Sequence, residues 1–288
     1  MWKAYYQLTK PGIVYGNLLT TVAAYLYASH WRLMSGPAWT NFLATIVGLG
    51  SVIASACVLN NFYDRDIDQK MERTKIRALA AGTISSERAI VFGALLGLIG
   101  LALLVVFVNL LTAIVAAVGF LVYVFAYTFA KRKTEWATEI GSIAGAMPIV
   151  AGYTATTDHV GWTALILFLI LALWQMPHFY SIAMFHSSDY ATAGLPVLPL
   201  KKGMRETKLR MLGYIVAFAF AVFVLTFSGR AGFVFLVITE VAALVWFWRG
   251  TQGFRTDDIE AWARKLFFLS LIVLVVFSVA LALSPFLP

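Results

Sequence analysis

The sequence predicts an all-α polytopic membrane protein, and three observations carry that prediction. Hydrophobic residues make up 61% of the 288 and charged residues only 12%, where a soluble domain is about half apolar and about a quarter charged. The apolar residues fall in runs of roughly 20, the length a helix needs to cross a bilayer, whereas barrel strands would alternate over about 10. Basic residues gather in every second connection between those runs. Only helix bundles and closed barrels span lipid, because backbone polar groups find no water there. Run length selects the bundle.

Nine spans are expected, at 12–29, 40–60, 89–109, 111–130, 138–156, 162–184, 211–228, 232–248 and 266–285. The apolar stretch after Lys10 is long and is followed by further spans, so it does not read as a cleavable signal. The connection at Asn109 to Thr112 is so short that spans three and four must form a tight hairpin. In span five, Gly141, Gly145 and the small residues between them offer a close-packing face. Glu240 lies near the middle of span eight, where a charge costs about 2.5–3.5 kcal/mol. It is either protonated and hydrogen-bonded or lines a cavity.

An odd number of spans puts the termini on opposite sides. With the N-terminus inside, twenty of the twenty-two Lys and Arg residues fall in inner segments, and only Arg32 and Arg230 lie outside. That asymmetry sets the orientation, N-terminus cytoplasmic and C-terminus outer; the membrane expected is a bacterial inner membrane. The same asymmetry removes the nucleic-acid reading of the net charge of +8, since the basic loops face an anionic inner leaflet of the lipid bilayer. The single Cys57 excludes a disulfide framework, a thiolate metal cluster and C-x-x-C-H haem attachment. One transmembrane domain is expected over 1–288, with two long inner connections, 61–88 and 185–210, as functional loops. They follow spans two and six, which share a direction, and this is read as a weak internal repeat feeding two polar helix ends into one cavity.

The chemistry concentrates where span two meets water. Asn60, Asp64 and Asp68 recur every fourth residue, so on a helix they share one face. Two carboxylates and an amide oxygen make a hard-oxygen site suited to Mg²⁺, which leaves the rest of its shell to phosphate oxygens. A merely solvated helix end is the plainer alternative, but acidic residues at a helix C-terminus oppose the macrodipole. Asp66 points the other way and is expected to pair with Arg65 or Lys70. Arg73 and Arg77 alone would be part of the inner-side charge signal; beside carboxylates they read as a bidentate diphosphate clamp. Tyr127 and Lys131, four apart at the inner end of span four, read by themselves as an interfacial aromatic and a snorkelling lysine. Span six ends in Trp174-Gln175-Met176-Pro177-His178. His178, His186 and Asp189 share a helical face if the helix continues past Pro177, and a histidine there is a candidate for haem contact, Asp189 for a second metal ligand.

Asn60-x-x-x-Asp64-x-x-x-Asp68, followed by Met71-x-Arg73-Thr74-x-x-Arg77, resembles the signature of the UbiA superfamily of intramembrane prenyltransferases. Thr9-Lys10-Pro11-Gly12, Gly16-Asn17, Trp174 to His178, Asp189-Tyr190 and Pro196-Val197-Leu198-Pro199 are similar to its haem-farnesylating family, and the likeness runs from about residue 7 to 210. The resemblance implies nine helices around a central cavity open to the cytoplasm, and Mg²⁺-dependent ionisation of farnesyl diphosphate with transfer to haem B. Metal would be held by Asn60, Asp64, Asp68 and Asp189, diphosphate by Arg73, Arg77, Tyr127 and Lys131, and haem by His178 and His186. It also implies haem A synthase or terminal-oxidase assembly as recipients of the product. Where relatives acting on aromatic rings carry a second pair of aspartates, this chain has His186, Ser188, Asp189 and Tyr190. Ala78 stands where many of the haem-farnesylating members have proline. The rivals are a quinone-pathway aromatic prenyltransferase and an ion-coupled transporter using Asp64, Asp68 and Glu240.

Overall fold

A computed structural model describes residues 1–32 and 36–288. Its helices are α1 (Trp2–Leu8), α2 (Pro11–Ser29), α3 (Gly36–Asp68), α4 (Ser86–Phe107), α5 (Leu110–Ala130), α6 (Ala137–Thr157), α7 (Trp162–Phe185), α8 (Ser187–Thr192), α9 (Leu198–Phe227), α10 (Phe233–Thr251) and α11 (Ile259–Leu283). Nine of the described helices are long, one for each expected span. Seven of the nine are long and apolar enough to cross a membrane. The other two, α2 and α6, dilute their apolar residues with Thr, Gly and Ser.

Local chemistry sets the helix ends. Pro11 opens α2 and Pro199 opens α9, positions where a missing N–H costs nothing. Ser85 and Asp258 accept N–H groups from the first turns of α4 and α11. Asn109 makes the expected α4–α5 hairpin: its Oδ1 accepts the Thr112 N–H at 2.7 Å while its Nδ2 donates to the Thr154 carbonyl at 2.9 Å.

The two connections expected to be long differ from expectation. α3 runs unbroken to Asp68, so the acidic stripe belongs to the helix and the connection shrinks to 69–85. α9 starts at Leu198 rather than 211, because the stretch Lys201 to Arg210 is helical although polar. Its one break is Gly203 at φ +85°, a conformation that a Cβ would strain. α7 continues through Pro177 but stops at His186, and Asp189 rides on the separate α8. The single helical face expected for His178, His186 and Asp189 therefore does not form.

Each long helix packs on the next in the chain and α11 packs back on α2, closing a ring, with α2–α6 and α7–α11 contacts across it. α2 and α6 approach closely at Gly152, where an added Cβ would lie 2.1 Å from the Thr21 carbonyl oxygen. The ring encloses a cavity of about 720 Å³. Residues of α2, α3, α5, α6, α7 and α11 line it, and none from α4, α9 or α10 does. On α3 the lining runs from Leu49 to Asp68, about 28 Å at the helical rise. Its far part is apolar, with Leu49, Val52, Phe120, Met147 and Leu274, and its near part carries the charges. Both polar helix ends, those of α3 and α7, contribute to this one hollow. The C-terminus lies at the opposite end, where Pro288 accepts the Val234 N–H and Tyr27 donates to the Arg230 carbonyl.

Candidate active site

The last three turns of α3 put Asn60, Asp64 and Asp68 on one inward face, at 2%, 0% and 1% exposure. Burying two carboxylates requires partners, and each has one. Lys131 Nζ donates to Asp64 Oδ2 at 2.7 Å. Arg77 Nη1 lies 2.9 Å from both Asp68 oxygens. Lys10 Nζ donates to Asn60 Oδ1 at 2.6 Å, and Asn60 Nδ2 donates to the Thr128 hydroxyl at 3.0 Å. Three cations from three separate segments thus converge on the stripe.

Their positions are set by local backbone features. Lys10 holds a left-handed conformation, φ +50°, just before Pro11, which turns it inward between α1 and α2. Lys131 follows a π-helical segment, Val122–Tyr127, inside α5; such wider turns frequently mark functional sites. There the rings of Tyr123 and Tyr127 stack at 5.3 Å, and the Thr128 hydroxyl donates to the Tyr123 carbonyl five residues back. Burial, with the nearby Arg77 charge, pulls the Lys10 ammonium down to about 8. For Lys131, burial pulls the same way, but Asp64 and then Tyr127 outweigh it and hold the ammonium up at about 12.

Of the residues expected from the sequence, Asn60, Asp68, Arg73, Arg77, Tyr127, Lys131 and His178 line the cavity. Asp64 sits just behind, beneath Lys131. Asp189 accepts the Arg73 backbone N–H at 3.4 Å and does not join the two α3 carboxylates. Among the described residues no three His, Cys, Asp or Glu side chains are grouped to hold a metal ion. His186 lies against the Phe185 ring outside the cavity lining; burial and then Arg73 lower its pKa. Asp66 pairs with Arg132 at 2.7 Å rather than with Arg65 or Lys70, because the end of α5 lies against that face of α3. Glu240 meets neither expectation: it is on α10, outside the cavity lining, and its Oε1 is buried without a hydrogen-bond partner.

The donor set fits a hard divalent cation at Asn60, Asp64 and Asp68. Asp64 Oδ1 is buried with no hydrogen-bond partner, a costly state for a carboxylate oxygen unless something binds it. Lys10, Tyr123 and Thr128 have no counterpart among the expected site residues. Lys10 stands 50 residues from its partner Asn60, and no local spacing reports that contact.

The two long connections meet over this polar end, where Ile67 and Met71 pack on Leu195 with Tyr190 and Val197 around them. The other wall is aromatic: His178 stacks on Trp174 at 4.9 Å and lies 4.8 Å from Phe267.

The chain is similar to known proteins over nearly its whole length. Protoheme IX farnesyltransferase of Protochlamydia amoebophila is 42% identical over 277 residues, 96% of each chain. The protein of the same name from Sodalis glossinidius is 43% identical, covering 100% of this chain and 96% of its own. A UbiA homologue from Archaeoglobus fulgidus, solved bound to GPP and Mg²⁺, superposes with a TM-score of 0.72 at 14% identity, over 96% of this chain and 99% of that one. The pattern of the UbiA prenyltransferase family matches residues 17–272. A nearly full-length family match, relatives above 40% identity and a shared helical ring lead to one conclusion: this chain is a prenyltransferase of the UbiA family.

Proposed function

We propose that the protein transfers a farnesyl group from farnesyl diphosphate to a vinyl group of haem B, releasing diphosphate and forming haem O. The observation that carries this reading is the convergence of Lys10, Arg77 and Lys131 on the Asn60–Asp64–Asp68 stripe, at the charged end of an otherwise oily hollow. The full-length relatives that bear the haem-farnesylating name support the acceptor, and the aromatic wall around His178 suits a flat porphyrin.

Mg²⁺, held by Asn60, Asp64 and Asp68, would supply positive charge to the departing diphosphate. The chain's own cations do the rest of that work: Arg73, Arg77, Lys131 and Lys10 grip the diphosphate oxygens, with Tyr127 beside Lys131, and stabilise the charge that develops as the allylic C–O bond breaks. Asp189 holds the backbone of Arg73 in the loop that carries this clamp. The apolar lining keeps water from the allylic cation. The vinyl carbon then bonds to the farnesyl C1, and water adds to the resulting benzylic-type cation, losing a proton to leave a hydroxyethylfarnesyl arm. In this reading residues 1–288 act as one domain in a bacterial inner membrane. The basic end faces the cytoplasm, and haem A synthase or terminal-oxidase assembly receives the product.

The test is incubation of membranes containing the protein with haem B, farnesyl diphosphate and Mg²⁺, followed by mass analysis of the porphyrin. Farnesylated, hydrated haem is the expected product; its absence from folded protein ends the proposal. Lys10 has its own check. Lys10→Met is expected to weaken farnesyl diphosphate binding by about 10- to 100-fold, the worth of one charge-assisted hydrogen bond. Calorimetric titration reads it, and unchanged affinity would remove Lys10 from the clamp.

A further inference from the structure

His178 makes one polar contact from its ring among the described residues, Nδ1 to the Ser270 hydroxyl at 2.7 Å. That contact decides which nitrogen carries hydrogen. The same hydroxyl lies 2.6 Å from the Phe267 carbonyl oxygen, one helical turn back on α11. A carbonyl can only accept, and a serine hydroxyl has a single hydrogen. Ser270 therefore donates to Phe267 and accepts from His178, which places the imidazole hydrogen on Nδ1. In the neutral ring the second nitrogen, Nε2, then keeps a bare lone pair, on a side chain that borders the cavity.

We infer that His178, through Nε2, is the axial ligand of the porphyrin iron, and that Ser270 is the positioning residue that fixes the ring and its tautomer for that bond. The inference rests on the haem reading above and deepens it. Iron-ligating histidines regularly donate their other N–H to a fixed acceptor, which orients the ring and strengthens the donor nitrogen. Every part of that arrangement is built in. Trp174 stacks on one side of the ring, Phe267 and Phe179 close against it, and the Trp174 indole N–H is itself anchored on the Ser270 carbonyl at 2.9 Å. One residue thus holds two neighbours, one through its backbone and one through its hydroxyl. His186, on the far side of the α7 terminus, has no place on the cavity wall.

The test uses the purified full-length protein in detergent, titrated with ferric haem and, separately, with metal-free protoporphyrin IX. Optical and electron paramagnetic resonance spectra report the iron ligand. Wild type is expected to show imidazole ligation and to bind haem more tightly than the metal-free ring. His178→Gly and His178→Gln, the second of which fills the space without an imidazole, are expected to lose that signature. Added imidazole is expected to restore it in the glycine variant. Ser270→Ala keeps the carbonyl that anchors Trp174, and is expected to weaken haem binding by about 10- to 100-fold without affecting the metal-free ring; Ser270→Thr restores it. His186→Ala changes neither. An unaltered imidazole signature in both His178 variants overturns the assignment and leaves haem farnesylation standing. Equal haem affinity in Ser270→Ala and wild type overturns the positioning role. Wild-type protein that farnesylates another acceptor and binds no haem overturns the underlying function instead.

Discussion

Asp68→Asn is expected to lower turnover by at least about 10²- to 10³-fold, the scale of losing one electrostatic element of a transition state, while the melting temperature hardly moves. The carboxylate holds Arg77 through both oxygens and stands at the mouth of the cavity. Its partner is 29% exposed, so a released guanidinium meets water and costs little. Asp64→Asn is expected to behave differently. Lys131, its partner, is only 16% exposed, and stripping a buried cation of its carboxylate costs about 3–5 kcal/mol. Turnover and stability should fall together in that variant. Measuring haem farnesylation alongside thermal unfolding in detergent separates the two cases. Wild-type turnover in Asp68→Asn would take the acidic stripe out of the mechanism.

The second large effect concerns assembly. Gly152→Ala is expected to destabilise the bundle by about 1–3 kcal/mol, the usual range for overpacking. It belongs at the upper end of that range because the obstruction is backbone. The new Cβ would meet the Thr21 carbonyl oxygen at 2.1 Å and its carbon at 2.9 Å, and no side-chain rotation relieves a clash with a neighbouring helix. Thr21 also ties α2 to α6 through its hydroxyl, 3.0 Å from the Pro148 carbonyl, so separating the helices loses that bond as well. Since α2 and α6 both line the cavity, activity should fall along with stability. Gly213 is the control: nothing lies within 4 Å of its would-be Cβ. Gly213→Ala on α9 should be neutral or stabilising by up to about 1 kcal/mol. Equal melting temperatures for Gly152→Ala and wild type would show that the α2–α6 contact can spread.

Much of this was legible in the chain itself. Run length and basic asymmetry predict the number and positions of the long helices, because lipid leaves few alternatives to a helix. The four-residue spacing of Asn60, Asp64 and Asp68 reports a shared face directly, and α3 does extend to Asp68. What stayed hidden depends on contacts between distant segments. Which cation answers which carboxylate is fixed by how α1, α3 and α5 pack, so the contacts of Asn60 with Lys10 and Thr128 stay hidden although Lys10 stands in the Thr9-Lys10-Pro11-Gly12 motif, and Asp66 pairs with a basic residue other than those expected. Composition also misjudges the two long connections. A polar stretch such as Lys201 to Arg210 reads as loop when a span is sought, yet it is helical here. His178, His186 and Asp189 fit one stripe only on an uninterrupted helix, and the break at His186 divides them.

The wide winding of Val122–Tyr127 has a consequence for how this scaffold tolerates change. A π segment accommodates surplus backbone that an ordinary helix has no room for, so α5 is a rod with slack wound into it. Deleting one residue there should let the rod relax into regular α geometry, a local improvement. Because the surplus is absorbed within that wide turn, the residues beyond it would keep nearly their present faces, with Lys131 still directed at Asp64; what would go is the local winding that stacks Tyr123 on Tyr127 and brings the Thr128 hydroxyl to the Tyr123 carbonyl. A shorter, tidier α5 would keep the Lys131–Asp64 pair and reshape only the tyrosine wall of the cavity.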